Sequence, residues 1–271
     1  MDIVAIDLDG TFLNSDHQIS SANKQEVRRI VEDGVVIAIA TGRSVFSVRE
    51  IVGELDISAY ALALNGTYIA RIDVEDEMTI LKKSILDKKV IVESLSLAAD
   101  HNITFIASNE YGSDRVTFSD TPELVQEFLN KRLDLQVITK EEMARKITNP
   151  STEYLKLSFT DTNVKKLRTL QKALSEKGIT TIFSDTYYIE VVPEGCNKGN
   201  ALSYLCDKLN IPLANSVAIG DQENDIEMLK MSGTGVAMGN ATPHIKEFAD
   251  VITDTNDNDG VAKILQRLKK R

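Results

Sequence analysis

At 271 residues with 42% hydrophobic composition, the chain has enough length for one large or two smaller domains and a sizeable core. A formal net charge of −10 argues against a nucleic-acid or general phosphate-backbone partner, so an anionic ligand has to be captured by local positive charge or by a metal. Two cysteines, Cys196 and Cys206, match neither a zinc spacing nor a C-x-x-C pair; with no apolar run near membrane-spanning length and a strand expected at the very start, the expectation is a cytoplasmic protein.

The first predicted element is a buried strand over Ile3-Val4-Ala5-Ile6, running into Asp7-Leu8-Asp9-Gly10-Thr11. Alternation along a strand sends Asp7 and Asp9 toward the same face. Like charges that close resist ionisation unless a cation neutralises them, and hard carboxylate oxygens suit magnesium. Taken alone, the same residues read equally as an exposed acidic turn. Ser20 or Ser21 is placed to cap a helix with Val27, Ile30 and Val31 on one face, stopped by Gly34. A second strand, Val35 to Ala40, leads into Thr41-Gly42-Arg43, and a helix follows with Val45, Val48 and Ile51. A third strand, Ala61 to Leu64, leads into Asn65-Gly66. Residues 66–83 read as a hairpin whose polar tip is Asp73 to Glu77, a solvated turn.

From residue 84 to 188 the texture changes. Leu155-Lys156-Leu157-Ser158-Phe159 alternates apolar and polar, as in an antiparallel strand with one exposed face. Helical faces flank it: Ile91, Leu95 and Ala98; Leu124, Val125 and Phe128; Leu167, Leu170 and Leu174. This stretch reads as an inserted α+β domain within a discontinuous core of residues 1–83 and 189–271. The core resumes with an expected strand, Ile189 to Val192, then Asn197-Lys198-Gly199 and a helix using Leu202, Leu205 and Leu209. Val217-Ala218-Ile219 runs into Gly220-Asp221-Gln222-Glu223-Asn224-Asp225. The last helix uses Val261, Ile264, Leu265 and Leu268. Near-continuous apolar strands alternating with helices predict an α/β fold with a mostly parallel, Rossmann-like sheet, whose ligands bind outside the carboxyl ends of the strands. One site assembled at that edge accounts for all the polar clusters.

D-x-D-G-T, T-G-R, the lysine of N-K-G and G-D-x-x-N-D, in that order over residues 7–225, resemble the haloacid dehalogenase superfamily, and most closely its Cof-type (subclass IIB) phosphatases. The chain departs from the family pattern at Thr67, where alanine is commoner after N-G, and at Cys196 just before N-K-G. The resemblance implies a Rossmann-like core with residues 84–188 as a large cap over the active site. It assigns Asp7 as the nucleophile that forms an aspartyl-phosphate, and Asp9 as general acid and then base. Magnesium is expected on Asp7, the backbone carbonyl of Asp9, Asp221 and, in support, Asp225. Lys198 offsets Asp7 and contacts phosphate; Gly10, Thr41, Gly42, Arg43, Asn65 and Asn224 complete the substrate and phosphate contacts. Arg43 equally suits a pair with a surface acid or a role in fixing the loop.

The expected function is a magnesium-dependent phosphatase acting on small phosphorylated metabolites, with sugar phosphates first and flavin mononucleotide, pyridoxal phosphate or nucleotides as further candidates. A phosphomutase of the same superfamily and a non-hydrolytic phospho-binding or signalling protein are the alternatives. Asp9 speaks against carbon–halogen hydrolysis, which has no alkoxide to protonate. Tyr154, Tyr187 and Tyr188 are candidate determinants of substrate preference. Gly233-Thr234-Gly235 with Gly239 misses a dinucleotide fingerprint by one residue and precedes its strand. His17, His101 and His244 are too scattered to ligate a metal together. The sequence leaves monomer and homodimer equally open.

Overall fold

The computed structural model describes residues 1–118 and 135–268. The expected helix face of Leu124, Val125 and Phe128 and the Lys269-Lys270-Arg271 tail lie outside these residues. Two compact units divide the chain: Met1–Lys83 with Gly195–Arg271, and Ser84–Glu194.

The first unit opens with β1 (Ile3–Ile6), α1 (Ser21–Glu32), β2 (Val36–Ala40), α2 (Val45–Leu55), β3 (Ala59–Ala63), β4 (Tyr68–Ile72) and β5 (Met78–Lys83). All four residues of β1 are fully buried, because this strand is central and hydrogen-bonded in parallel on both sides. Ser20 caps α1 by accepting from the Asn23 amide at 3.1 Å, and Val27 and Ile30 carry its buried face. From β3 onward the pairing turns antiparallel. Asp73 and Glu77 close the β4–β5 hairpin, the Asp73 amide donating to the Glu77 carbonyl at 2.9 Å.

The second unit holds α3 (Lys88–Asp100), β6 (Thr104–Ser108), β7 (Ser113–Val116), β8 (Leu135–Val137), α4 (Lys140–Thr148), β9 (Lys156–Thr160), α5 (Val164–Glu176), β10 (Ile182–Asp185) and β11 (Tyr188–Val191). Its sheet runs β10-β11-β9-β6-β7-β8. Alternate residues Phe105, Ala107, Leu157, Phe159, Ile189 and Val191 share one core with Ile91, Leu95, Leu167, Leu170 and Leu174 of the helices. Residues of opposite parity are polar yet buried: Glu190 receives Lys156 Nζ and, at 3.1 Å, the Ser158 hydroxyl.

This sheet corrects two sequence expectations. The polar face of the 155–159 strand is expected to be exposed, yet Lys156 and Ser158 are buried, both donating to Glu190. Residues 189–192 were expected to return to the parallel sheet, with the core resuming at 189. Instead β11 pairs antiparallel with β9, Ile189 opposite Phe159 and Glu190 opposite Ser158, so the second unit extends to Glu194. The reason lies in the alternation itself: Ile189 and Val191 face the second unit's apolar core, while Glu190 finds its charge partner on β9.

The chain re-enters the first unit through α6 (Lys198–Leu209), β12 (Ser216–Gly220), α7 (Ile226–Met231), β13 (Thr234–Ala237), α8 (Pro243–Lys246), β14 (Val251–Ile252) and α9 (Gly260–Arg267). The completed sheet is eight-stranded, β14-β13-β12-β1-β2-β3-β4-β5, parallel from β14 to β3. The fold is therefore α/β with a mostly parallel sheet, joined to an inserted α+β unit. Among the described residues no helix is long and apolar enough to cross a membrane.

Candidate active site

The carboxyl ends of β1, β2, β3, β12 and β13 converge in the first unit, and the four sequence motifs meet there. Parallel pairing of β1 with β12 sets Ile6 beside Ile219, so the residues that follow each strand emerge side by side. The Asp7 amide donates to the Ile219 carbonyl at 3.0 Å, which fixes the start of the loop. Gly10 has φ +77°, and a Cβ there would stand 2.4 Å from Asp221 Oδ2; only glycine lets the first loop approach the fourth motif this closely.

Lys198 is the hub. It is 1% exposed, and its Nζ donates to Asp7 Oδ1 and to Asp225 Oδ1, each at 2.7 Å. The lysine is held by helix geometry: Asn197 caps α6 by accepting from the Asn200 amide, making Lys198 the first helical residue. Asp225 is fully engaged, since its Oδ2 accepts from the backbone amides of Asp221 and Gln222 at 3.0 Å each. Asp221 Oδ1 accepts from the Thr11 hydroxyl at 3.0 Å. The Asn240 amide nitrogen donates to the Gly10 carbonyl at 2.8 Å and to Asp221 Oδ2 at 3.3 Å.

Asp7, Asp221 and Asp225 are all buried and offer carboxylate oxygens within 4.8 Å of one another. Burial, above all, raises the Asp7 carboxyl well above the ordinary value; the charges of Asp225 and Asp221 add to this, and Lys198 opposes it. Burial, followed by the charge of Asp225, pushes Asp221 up to about 7, against the Thr11 hydrogen bond and Lys198. For Lys198 burial favours the neutral amine, yet Asp225 and Asp7 together hold the ammonium above the usual lysine range. Three carboxylates facing one lysine leave an excess of negative charge that a hard divalent cation would offset. All-oxygen donors suit such a cation, and the residues present therefore fit a divalent-metal site.

The remaining candidates are placed around this centre. Thr41 is buried and accepts the Arg43 amide on its hydroxyl at 3.1 Å. Gly42 stands beside it, two residues before Ser44, the cap of α2. Asn65, with φ +56°, accepts from the Asn224 side-chain nitrogen at 3.2 Å. The other Asn224 atom, Oδ1, is buried without a hydrogen bond among the described residues. Asp9 differs from the other acids: its carboxylate is half exposed and pairs with Arg43, outside the three-carboxylate group. The sequence left Arg43 open between substrate and acid; the structure pairs it with Asp9.

Two contributors were missed. Thr11 was quoted within its motif without a role, and Asn240 was not considered. The carboxyl-edge rule that found the other clusters points to Asn240 too, since it follows β13 closely. One candidate falls away: Tyr154 is 1% exposed within the second unit's core and donates its hydroxyl to Asp114 Oδ2 at 2.6 Å. That packing occupies the side chain, which removes it as a determinant of substrate preference.

The haloacid dehalogenase-like hydrolase family model matches residues 4–265. A 5-amino-6-(5-phospho-D-ribitylamino)uracil phosphatase, YcsE of Bacillus subtilis, is 33% identical over 266 residues, covering 97% of this chain and 94% of its own. Phosphatase YwpJ of the same organism is 31% identical over 290 residues, covering 99% and 100%. Among solved structures, a haloacid dehalogenase-like hydrolase from B. subtilis superposes with a TM-score of 0.86 at 29% identity, covering 99% of this chain and all of that one.

Proposed function

Because the chain belongs to the haloacid dehalogenase-like hydrolases, in their Cof-type (subclass IIB) branch, and is a phosphatase of phosphorylated small molecules, we propose that it is magnesium-dependent and works through an aspartyl-phosphate on Asp7. The observation that carries this reading is the buried Asp7–Lys198–Asp225 chain with Asp221 beside it. A nucleophilic carboxylate is held in place there by a cation that cannot leave.

In the first half-reaction an Asp7 oxygen attacks phosphorus and the bond from phosphorus to the leaving oxygen breaks. Asp9 gives that oxygen a proton. In the second, Asp9 takes a proton from water, whose oxygen attacks phosphorus and breaks the bond to Asp7, freeing inorganic phosphate. Lys198 balances charge on Asp7 throughout. Thr41, Gly42, Asn65 and Asn224 serve the phosphate, with amides of the Gly10 loop. Asp7, Asp221 and the Asp9 carbonyl would hold magnesium, which when bound would supply neutralisation of the transferring oxygens. Asp225, with both oxygens already engaged, supports from behind by fixing Lys198 and the Gly220–Gln222 turn.

Sugar and sugar-alcohol phosphates lead the substrate class, and the phosphoribitylamino-uracil named for YcsE belongs in the panel with flavin mononucleotide, pyridoxal phosphate and nucleotides. The test is phosphate release from that panel with and without magnesium, for wild type and Asp7→Asn. Metal-dependent release that the substitution abolishes is the expected result. A folded wild type that leaves the whole panel untouched would overturn the hydrolase mechanism and bring forward a mutase or a phosphate-binding protein.

A further inference from the structure

The two acids of D-x-D-G-T meet opposite fates, although they are two residues apart. Asp7 is buried in the three-carboxylate group, whereas the Asp9 side chain is 50% exposed. Both Asp9 oxygens are taken by one side chain: Arg43 Nε donates to Oδ2 at 2.8 Å and Arg43 Nη2 donates to Oδ1. Such a planar, two-point pair fixes the plane of a carboxylate as well as its position. Arg43 is anchored to do this. Its amide donates to the Thr41 hydroxyl at 3.1 Å, and its carbonyl accepts from the Leu64 amide at 2.9 Å, tying it to the ends of both β2 and β3.

We propose that Arg43 is a positioning residue for Asp9, holding its carboxylate out of the Asp7–Asp221–Asp225 group so that it stays a proton carrier and does not become a further metal ligand. The need is electrostatic. A divalent cation among three acids attracts any further carboxylate within reach, and Asp9 sits on the same short loop as Asp7. A carboxylate that is spent on a metal has lost the oxygens with which it would exchange protons. Lysine in place of Arg43 offers a point charge and cannot grip both oxygens. The inference rests on Asp9 as the acid and base of the proposed reaction, but its first consequence is readable without catalysis.

That consequence is cation binding. Calorimetric titration of the full chain with Mn2+ alone is expected to show affinity rising roughly tenfold in Arg43→Met, the scale on which residues around a metal tune it. The double variant Arg43→Met with Asp9→Asn is expected to return to the wild-type value. In turnover, Arg43→Met is expected to lose on the order of tenfold or more in kcat on a sugar phosphate. It should lose far less on p-nitrophenyl phosphate, whose leaving group needs no proton, and Arg43→Lys should recover part of the difference. Unchanged Mn2+ affinity in Arg43→Met, or a rise in KM common to both esters with kcat intact, overturns the proposal and makes Arg43 a plain substrate anchor. Failure of the phosphatase mechanism itself is a separate outcome, seen as inactivity of the wild type while the Mn2+ comparison still stands or falls.

Discussion

Replacing Lys198 with methionine tests the electrostatic core of the site without reference to any substrate. Methionine keeps nearly the same length and volume, so little cavity or overpacking cost enters. What disappears is one ammonium, 1% exposed, with two hydrogen bonds of 2.7 Å to buried carboxylates. Removing one partner of a buried ion pair costs about 3–5 kcal/mol, because the abandoned charge stays buried. That is a large share of the ~5–15 kcal/mol by which a domain is stable. The chain has two units, so a single global transition is an unsafe readout. Hydrogen exchange of the Ile3–Ile6 amides in EDTA reports the first unit directly. Their opening free energy is expected to fall by about 3–5 kcal/mol, and Asp7→Asn added to Lys198→Met should restore a substantial part. A fall below about 1 kcal/mol, the worth of an exposed pair, would refute the reading of Lys198 as the counter-charge of the site.

Gly220→Ala is expected to weaken Mn2+ binding by about 10–100-fold, the range for residues that orient metal ligands, as read by calorimetry. The added Cβ would stand 2.5 Å from the Asp225 carboxyl carbon and force Asp225 off the amides of Asp221 and Gln222; unaltered binding would show that the turn absorbs it. Stability of the cation-free protein should fall as pH rises from about 4 to about 7. Asp221 titrates near 7 when folded, and Asp7 is raised as well. The native state therefore binds more protons than the unfolded chain across that window, and deprotonation opposes folding. Urea midpoints in EDTA that climb over the same interval would contradict this.

Much of the site was legible because its chemistry is local in sequence. Asp7, Asp9 and Gly10 occupy one loop, and Asp221, Asn224 and Asp225 one turn. The carboxyl-edge rule then brings such clusters together once the strands are recognised as parallel. What stayed hidden depends on long-range partners. The Thr11–Asp221 bond joins residues 210 apart, and no local pattern distinguishes it from a solvated threonine. The T-G-R motif left Arg43 open between phosphate and an acid, and only the geometry shows its Nε and Nη2 on Asp9. The misplaced strand has a different cause. Ile189 to Val192 stands just before N-K-G and invited assignment to the core. Its membership is decided by cross-strand partners, Phe159 for Ile189 and Ser158 for Glu190, which the strand itself does not encode.

The central place of β1 bears on how the chain acquires its structure. The strand is made before either of its neighbours: β2 can flank one edge within about forty residues, but its other edge waits for Ser216–Gly220. A nascent chain therefore carries a fully apolar strand with one edge open until Ser216–Gly220 has been made, long after the strand itself. Ser84–Glu194, with its own sheet and core, is translated inside that interval and can condense as a unit, shortening the loop that must close. Contacts of such sequence separation make for slow folding. They also mean that truncation anywhere before β12 removes the partner of Ile3–Ile6 along with Asp221 and Asp225, so a shortened product loses the centre of the sheet and two of the three clustered carboxylates together.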